Sequence, residues 1–300
     1  MSDNMIVLTF PEYEQPGQRL AEELNINHKM VGVHHFPDGE SRIRIPTPLP
    51  EHIIFCRSLN QPNEKLVELI LAISAARKHG ARNITLVSPY LCYMRQDMEF
   101  NPGDAVSQHI IGELLSHYVD TLITVDPHLH RTNKLEDSIP VKNAIALNAY
   151  SLTGTFINQQ TDNPILVGPD SESEQWVSAI AKPLNLEYVI AEKKRRGDLS
   201  VSIELPEYSY NDRNIVIVDD IISTGCTMVE VAKLLSKKGV KEINAFVTHA
   251  LFSDKVGQFV KNSDIQNIWS TDSVIHTSNT VLLAPLLAKG MLEQGVLQAQ

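Results

Sequence analysis

The chain has 300 residues, 43% of them hydrophobic and 21% charged, enough for a large core and for two domains of ordinary size, which excludes a mini-protein and a disordered tail. Its 26 Lys and Arg against 36 Asp and Glu give a formal charge of −10, so a nucleic-acid partner is not expected and any bound anion must be caught by local groups. Cys56, Cys92 and Cys226 lie far apart with no C-x-x-C pair, which fits neither a disulfide framework nor a cysteine zinc cluster and makes a reducing cytoplasm the simplest compartment.

Short β-rich apolar runs alternate with longer segments of helical period, the pattern of parallel α/β architecture. In chain order, strands are expected at Met5–Phe10 and Ile53–Cys56, and a helix at Asn63–His79 closed by Gly80. Strand Ile84–Ser88, helix Asp104–His117 and strand Leu122–Asp126 complete the first half. The second half reads as strand Ile165–Gly168, helix Glu172–Lys182, and strands Tyr188–Ala191 and Ile215–Asp219. Helix Thr227–Lys238 closed by Gly239, strand Ile243–Thr248 and helix Asp254–Asn262 follow.

The N-terminus, Met-Ser-Asp-Asn, lacks a basic stretch before an apolar region, and the richest apolar segment, Leu66–Ala76, is broken by Glu68 and Ser74. The expectation is a soluble, unprocessed protein with no membrane partner. A break near residues 140–155, where Pro140 follows a charged stretch and a polar run leads to Pro164, divides the chain into domains 1–145 and 146–300, with room for the last residues to pack back on the first domain. Each half holds a strand ending in an acid, Asp126 before Pro127-His128 and Asp219-Asp220 before a helix, so a duplicated α/β unit is one reading.

The clearest chemical signal is Ile215 to Met228, a buried-looking strand running through Asp219 and Asp220 into the turn Ser223-Thr224-Gly225-Cys226-Thr227 and a helix. Ligands of open α/β sheets sit at the carboxyl ends of strands, where a helix N-terminus offers unpaired N–H groups to a phosphate. Paired carboxylates accept hydrogen bonds from vicinal hydroxyls and can hold hydrated Mg²⁺ near phosphate oxygens. The combination suits a phosphorylated sugar. The bland alternative, an acidic strand end before an N-capping turn, explains less of the segment.

This stretch resembles the ribose-5-phosphate or phosphoribosyl-diphosphate loop of the phosphoribosyltransferase-like fold. Elsewhere the chain has neither G-x-G-x-x-G nor Gly-Lys-Ser/Thr. Phe36-Pro37-Asp38-Gly39-Glu40 and Tyr93-Met94-Arg95-Gln96-Asp97 are similar to the F-x-D/N-G-E and Y-x-R-Q-D segments of the ribose-phosphate diphosphokinases. Chemically, Phe36 can stack on adenine, Asp38, Glu40 and Gln96 can read its amine or the ribose, and Arg95 can pair with phosphate as a planar fork. Each motif alone also reads as a tight turn or a solvated loop; together and in family order they point to ATP.

The resemblance implies two similar phosphoribosyltransferase-like domains, each a mainly parallel sheet flanked by helices, and ATP contacts from Phe36, Asp38, Gly39, Glu40, Arg95, Gln96 and Asp97. It implies ribose 5-phosphate contacts from Asp219, Asp220, Ser223, Thr224, Gly225, Cys226 and Thr227. It assigns Mg²⁺ to His128, in Asp126-Pro127-His128, and to Asp170, in Val167-Gly168-Pro169-Asp170. His130 reads as a surface or hydrogen-bonded histidine rather than a zinc ligand.

Glu192-Lys193-Lys194-Arg195-Arg196 opens a segment to about Asn214 without strong helical period, and the resemblance makes it a mobile catalytic loop with Lys193 and Arg195 as the catalytic cations. The implied reaction moves the β,γ-diphosphoryl group of ATP to the 1-hydroxyl of ribose 5-phosphate, in a homo-oligomer. Alternatives are a phosphoribosyltransferase that consumes the diphosphate product and a silent regulatory homologue. Cys226 in place of the family's usual Gly, the acidic turn Ser171-Glu172-Ser173-Glu174, and the absence of an aromatic run after His128 bear on assembly and regulation more than on the chemistry.

Overall fold

The computed structural model describes residues 4–129, 134–196 and 200–298, and of Lys193–Arg196, Ser200–Ser202, Asp254, Lys261 and Gln298 the backbone alone. His130 therefore lies outside the described residues, as do the side chains of Lys193 and Arg195. The chain divides into two compact units, one of residues 1–148, 273–275 and 282–300 and another of residues 149–272 and 276–281.

The first unit begins with β1 (Met5–Thr9), α1 (Glu14–Leu24) and β2 (Asn27–Met30), followed by the antiparallel ribbon β3 (Gly32–His35) and β4 (Ser41–Arg44). Then come β5 (His52–Cys56), α2 (Pro62–Lys78), β6 (Asn83–Val87), α3 (Ser107–Ser116), β7 (Thr121–Val125) and β8 (Asn143–Leu147). All six sheet strands are parallel, in the order β2-β1-β5-β6-β7-β8. β1, β5 and β7 are buried at every position, as expected for strands covered on both faces. The core joins Leu8, Phe55, Leu86 and Leu122 of the sheet to Leu69 and Ile73 of α2.

The second unit holds α4 (Tyr150–Gln160), β9 (Ile165–Gly168), α5 (Glu174–Ala181) and β10 (Glu187–Ile190), then the antiparallel ribbon β11 (Glu192–Arg196) and β12 (Ser200–Glu204). β13 (Asn214–Ile222), α6 (Cys226–Ser236), β14 (Glu242–Ala250), α7 (Asp254–Lys261), β15 (Asn267–Thr271) and β16 (Asn279–Val281) complete it. The chain returns to the first unit with α8 (Ala284–Glu293), which packs on α1 and β8. There Gly290 lies so close to Leu147 that a Cβ would come within 2.7 Å of its methyl groups.

The second sheet, β10-β9-β13-β14-β15-β16, is also all parallel. With strands numbered within each sheet in chain order, both run 2-1-3-4-5-6, and both insert a two-stranded ribbon between strands two and three. The duplicated unit is thus real at the level of topology.

Several elements differ from the sequence expectation. β13 runs three residues past Asp219, so both acids belong to the strand. The segment after Glu192, read as without strong helical period and as a mobile loop by resemblance, contains the strands β11 and β12. α1 and α4 carry glycines at Gly17 and Gly154, which blur their helical period, and β8 and α4 occupy the region expected as a break. Among the described residues no helix is long and apolar enough to cross a membrane.

Candidate functional site

In a 2-1-3-4-5-6 sheet the chain reverses direction between strands one and three, and the crevice at their carboxyl ends is the expected ligand site. In the second unit these strands are β9 and β13. Asp170 follows β9 and caps a short 3₁₀ turn, its Oδ1 accepting from the Glu172 and Ser173 N–H groups at 3.2 and 3.3 Å. That cap fixes the carboxylate at the rim.

On β13, Asp219 and Asp220 alternate across the pleat; Asp220 is buried and donates its backbone N–H to Asp219 Oδ1 at 3.0 Å. Burial first, then the charges of Asp220 and Asp170, push the Asp219 carboxyl well above the usual carboxylate range. Asp170, Asp219 and Asp220 form an oxygen donor set suited to a hard divalent cation.

Beyond Ile222 the chain turns through exposed Ser223 and Thr224 to Gly225, with φ 73° and ψ −4°, which caps α6 without a side chain. The first-turn N–H groups of α6 are therefore offered to a ligand. Cys226 is exposed, and Thr227 is half-buried in the first turn. A Cβ at Gly225 would lie 2.7 Å from Val260 Cγ2 of α7 in a conformation that disfavours side chains. Gly225→Ala is expected to cost about 1–2 kcal/mol of stability from backbone conformation alone, read by thermal unfolding.

β10, next to β9, leads through Ala191 into the ribbon, where Lys193 pairs with Ile203 and Arg195 with Val201. All these segments leave the carboxyl edge of one parallel sheet.

In the first unit the other expected contacts also leave the carboxyl edge. Phe36–Glu40 is the turn of the β3–β4 ribbon, closed by Phe36 N–H to Glu40 O at 2.8 Å and Gly39 N–H to Phe36 O at 3.0 Å. Asp38 Oδ1 accepts from the Glu40 N–H at 3.2 Å, and Gly39 has φ 92°. The tight-turn reading of this motif is correct, and the turn leaves Phe36 40% exposed, available to stack.

Tyr93–Asp97 follows β6, with Met94 buried and Arg95 exposed. Gln108 of α3, which belongs to none of the sequence motifs, holds this loop. It is buried, donates Nε2–H to Met94 O at 3.2 Å, accepts from Ser138 Oγ at 3.0 Å, and its N–H meets Gln96 O at 3.2 Å. Only a polar residue on the inward face of a predicted helix could have signalled it. Asp126 and half-buried His128 follow β7, with Asp126 at φ 41° and its N–H bonded to Leu147 O at 2.9 Å.

Two parallel α/β units of one strand order, the second with acids and a helix N-terminus at its reversal point, define a phosphoribosyltransferase-like protein. Residues 5–118 match the N-terminal domain of ribose phosphate pyrophosphokinase, and residues 132–279 match the phosphoribosyl transferase domain. A ribose-phosphate pyrophosphokinase of Methanopyrus kandleri is 34% identical over 96% of this chain and 98% of its own length. One from Sulfurisphaera tokodaii is 32% identical over 84% of this chain and 85% of its own. The crystal structure of phosphoribosylpyrophosphate synthetase from Mycobacterium smegmatis superposes with a TM-score of 0.83 at 21% identity, covering 99% of this chain and 100% of that one, a likeness of fold. The chain belongs to the ribose-phosphate pyrophosphokinase family of transferases. Neither the nucleobase-consuming transferase nor the silent homologue is favoured.

Proposed function

We propose that the chain transfers the β,γ-diphosphoryl group of ATP to the 1-hydroxyl of ribose 5-phosphate, giving 5-phosphoribosyl 1-diphosphate and AMP. The observation that carries this reading is the juxtaposition of Asp219 and Asp220 with the uncapped first turn of α6, in a member of this family. Asp219 and Asp220 hold the ribose hydroxyls, and Ser223, Thr224, Gly225, Cys226 and Thr227 cradle the 5-phosphate. Phe36 stacks on adenine; Asp38, Gly39, Glu40, Arg95, Gln96 and Asp97 fix the rest of the nucleotide. Lys193 and Arg195 neutralise charge that develops on the transferred phosphates, since such reactions depend on positioning and electrostatic stabilisation.

Mg²⁺ fits the residues present: the raised Asp219 carboxyl beside Asp170 and Asp220 is what such a site looks like without its counter-charge. In this reading Asp170 and His128 are each Mg²⁺ residues, Asp170 beside the Asp219–Asp220 pair. Bound Mg²⁺ would supply charge neutralisation to the phosphates. A reducing cytoplasm accords with three cysteines that form no disulfide, two of them buried. A homo-oligomer accords with Val67 and Leu71, exposed one turn apart on α2.

The test is to mix the chain with ribose 5-phosphate, ATP and Mg²⁺ and follow AMP, expected in equal amount to phosphoribosyl diphosphate. No AMP, with phosphoribosyl diphosphate consumed in the presence of a nucleobase, would favour the rival transferase.

A pH dependence follows from Asp219. Its folded pKa is raised, so between the ordinary carboxylate value and the raised one the folded state binds more protons than the unfolded chain, and stability falls as pH rises. In chelator-treated protein, Asp219→Asn is expected to be more stable than the parent at neutral pH, the advantage shrinking on acidification. Thermal unfolding across that window checks it; an advantage independent of pH would remove the assignment.

A further inference from the structure

The duplicated topology gives the first unit its own reversal point, between β1 and β5. There lies a cavity of about 660 Å³, lined by Glu12 after β1, by Arg57 and Asn60 after β5, and by His35 at the end of β3. By topology, the Arg57–Gln61 segment before α2 is the counterpart of the Ser223–Gly225 cradle before α6. It is not a phosphate cradle. Lys65 folds back over it, donating Nζ–H to Ser58 O at 2.9 Å and Asn60 Oδ1 at 2.7 Å, so the segment presents acceptors to a cation.

The cavity lining carries three carboxylates, Glu12, Glu64 and Glu68, against two fixed cations, Arg57 and Lys65. His35, Glu64 and Glu68 each bring one ligand atom within 4.8 Å of the others. His35 Nε2 is 2.9 Å from Glu64 Oε1 and 2.8 Å from Glu68 Oε1. Glu64 and Glu68, four residues apart on α2, share a helix face. Glu68 is buried and fixed from behind by Arg57 Nη2 at 2.5 Å, as second-sphere hydrogen bonds orient metal-binding carboxylates.

We infer that this cavity is a second ligand site, in which His35, Glu64 and Glu68 bind a divalent transition-metal ion such as Zn²⁺. One imidazole and two carboxylates suit such an ion better than Mg²⁺, which prefers oxygen ligands alone. Metal bonds of about 2.1 Å in a tetrahedron put ligand atoms about 3.4 Å apart, so the contacts must open by about half an ångström. His35 and Glu64, with side chains 56% and 61% exposed, have room to do so. The ion would tie the β3–β4 ribbon to α2 immediately before Phe36. The reversal-point cavity and the His-Glu-Glu geometry are separate observations, and neither depends on the proposed reaction.

The test uses the full chain, stripped with chelator and titrated with Co²⁺ in excess Mg²⁺, which competes for the proposed Mg²⁺ residues. One equivalent of Co²⁺, with visible d–d absorption and displaced by Zn²⁺, is expected in the parent. His35→Ala and Glu64→Gln should each lose that equivalent while still unfolding in one cooperative transition, since both side chains are exposed. Failure of the parent to bind, or the same stoichiometry in both variants, would overturn the inference. The readout is metal bound, not AMP formed, so its failure is distinct from failure of the proposed reaction.

Discussion

Lys193→Ala is expected to lower kcat by about 10²–10³-fold while leaving the Kd for ATP nearly unchanged, the scale reached when one preorganised charge-stabilising donor is removed from a reacting centre. In phosphoryl transfer there is little covalent work for a protein to do, so a cation that meets developing charge acts on the transition state more than on the ground state. Arg195→Ala is expected to behave alike, and the double variant to lose less than the product of the two losses, because both act on one charge. Rapid-quench turnover and equilibrium nucleotide binding separate the two quantities. Near-normal turnover in Lys193→Ala would remove the transition-state role; an equal loss in binding would turn it into a substrate clamp.

The place of these cations was only half legible. A basic run after the apolar segment Tyr188–Ala191 marked a strand end, and the family resemblance selected Lys193 and Arg195 within it. That the run is itself a strand paired with Ser200–Glu204 was hidden, because Lys-Lys-Arg-Arg shows no alternation of apolar and polar residues. The same holds for β2, β3 and β4, whose sequences Asn-His-Lys-Met, Gly-Val-His-His and Ser-Arg-Ile-Arg are largely solvent-facing. Strands enclosed on both faces, such as Ile-Val-Ile-Val before Asp219, were readable because burial demands uninterrupted apolar side chains.

The topology also relates two motifs that look unrelated in sequence. The Phe36 turn and the Lys193 segment lie on ribbons inserted at the same point of two sheets with the same strand order. The acid pair was legible because its two members adjoin at the end of one strand. The His35–Glu68 contact was not, since it joins residues 33 apart on different elements.

Arg57→Met is expected to destabilise the first unit by about 3–5 kcal/mol, the usual cost of leaving a buried charge without its partner. Arg57 is 2% exposed, its Nε meets Glu12 at 2.6 Å, its Nη2 meets Glu68 at 2.5 Å, and its guanidinium lies 3.6 Å from the centre of the Phe10 ring. Burial pushes the Glu68 carboxyl up, but hydrogen bonds from Arg57 and His35 outweigh it and hold the group below the ordinary range. In the parent this contribution is present above the unfolded carboxylate pKa and is lost as pH falls through the depressed value. Without Arg57, burial dominates, Glu68 takes up a proton more readily, and the variant's deficit narrows as the solution is acidified. Arg57→Met/Glu68→Leu, which removes both charges, should be more stable than Arg57→Met alone. Both tryptophans, Trp176 and Trp269, lie in the other unit, so their fluorescence does not report on this one. Amide exchange in β1 and β5 of chelator-treated protein reads it directly. A deficit in Arg57→Met that is unchanged from neutral to acidic pH, with the double variant no better, would mean that the lost packing on Phe10, and not the stranded carboxylate, sets the cost.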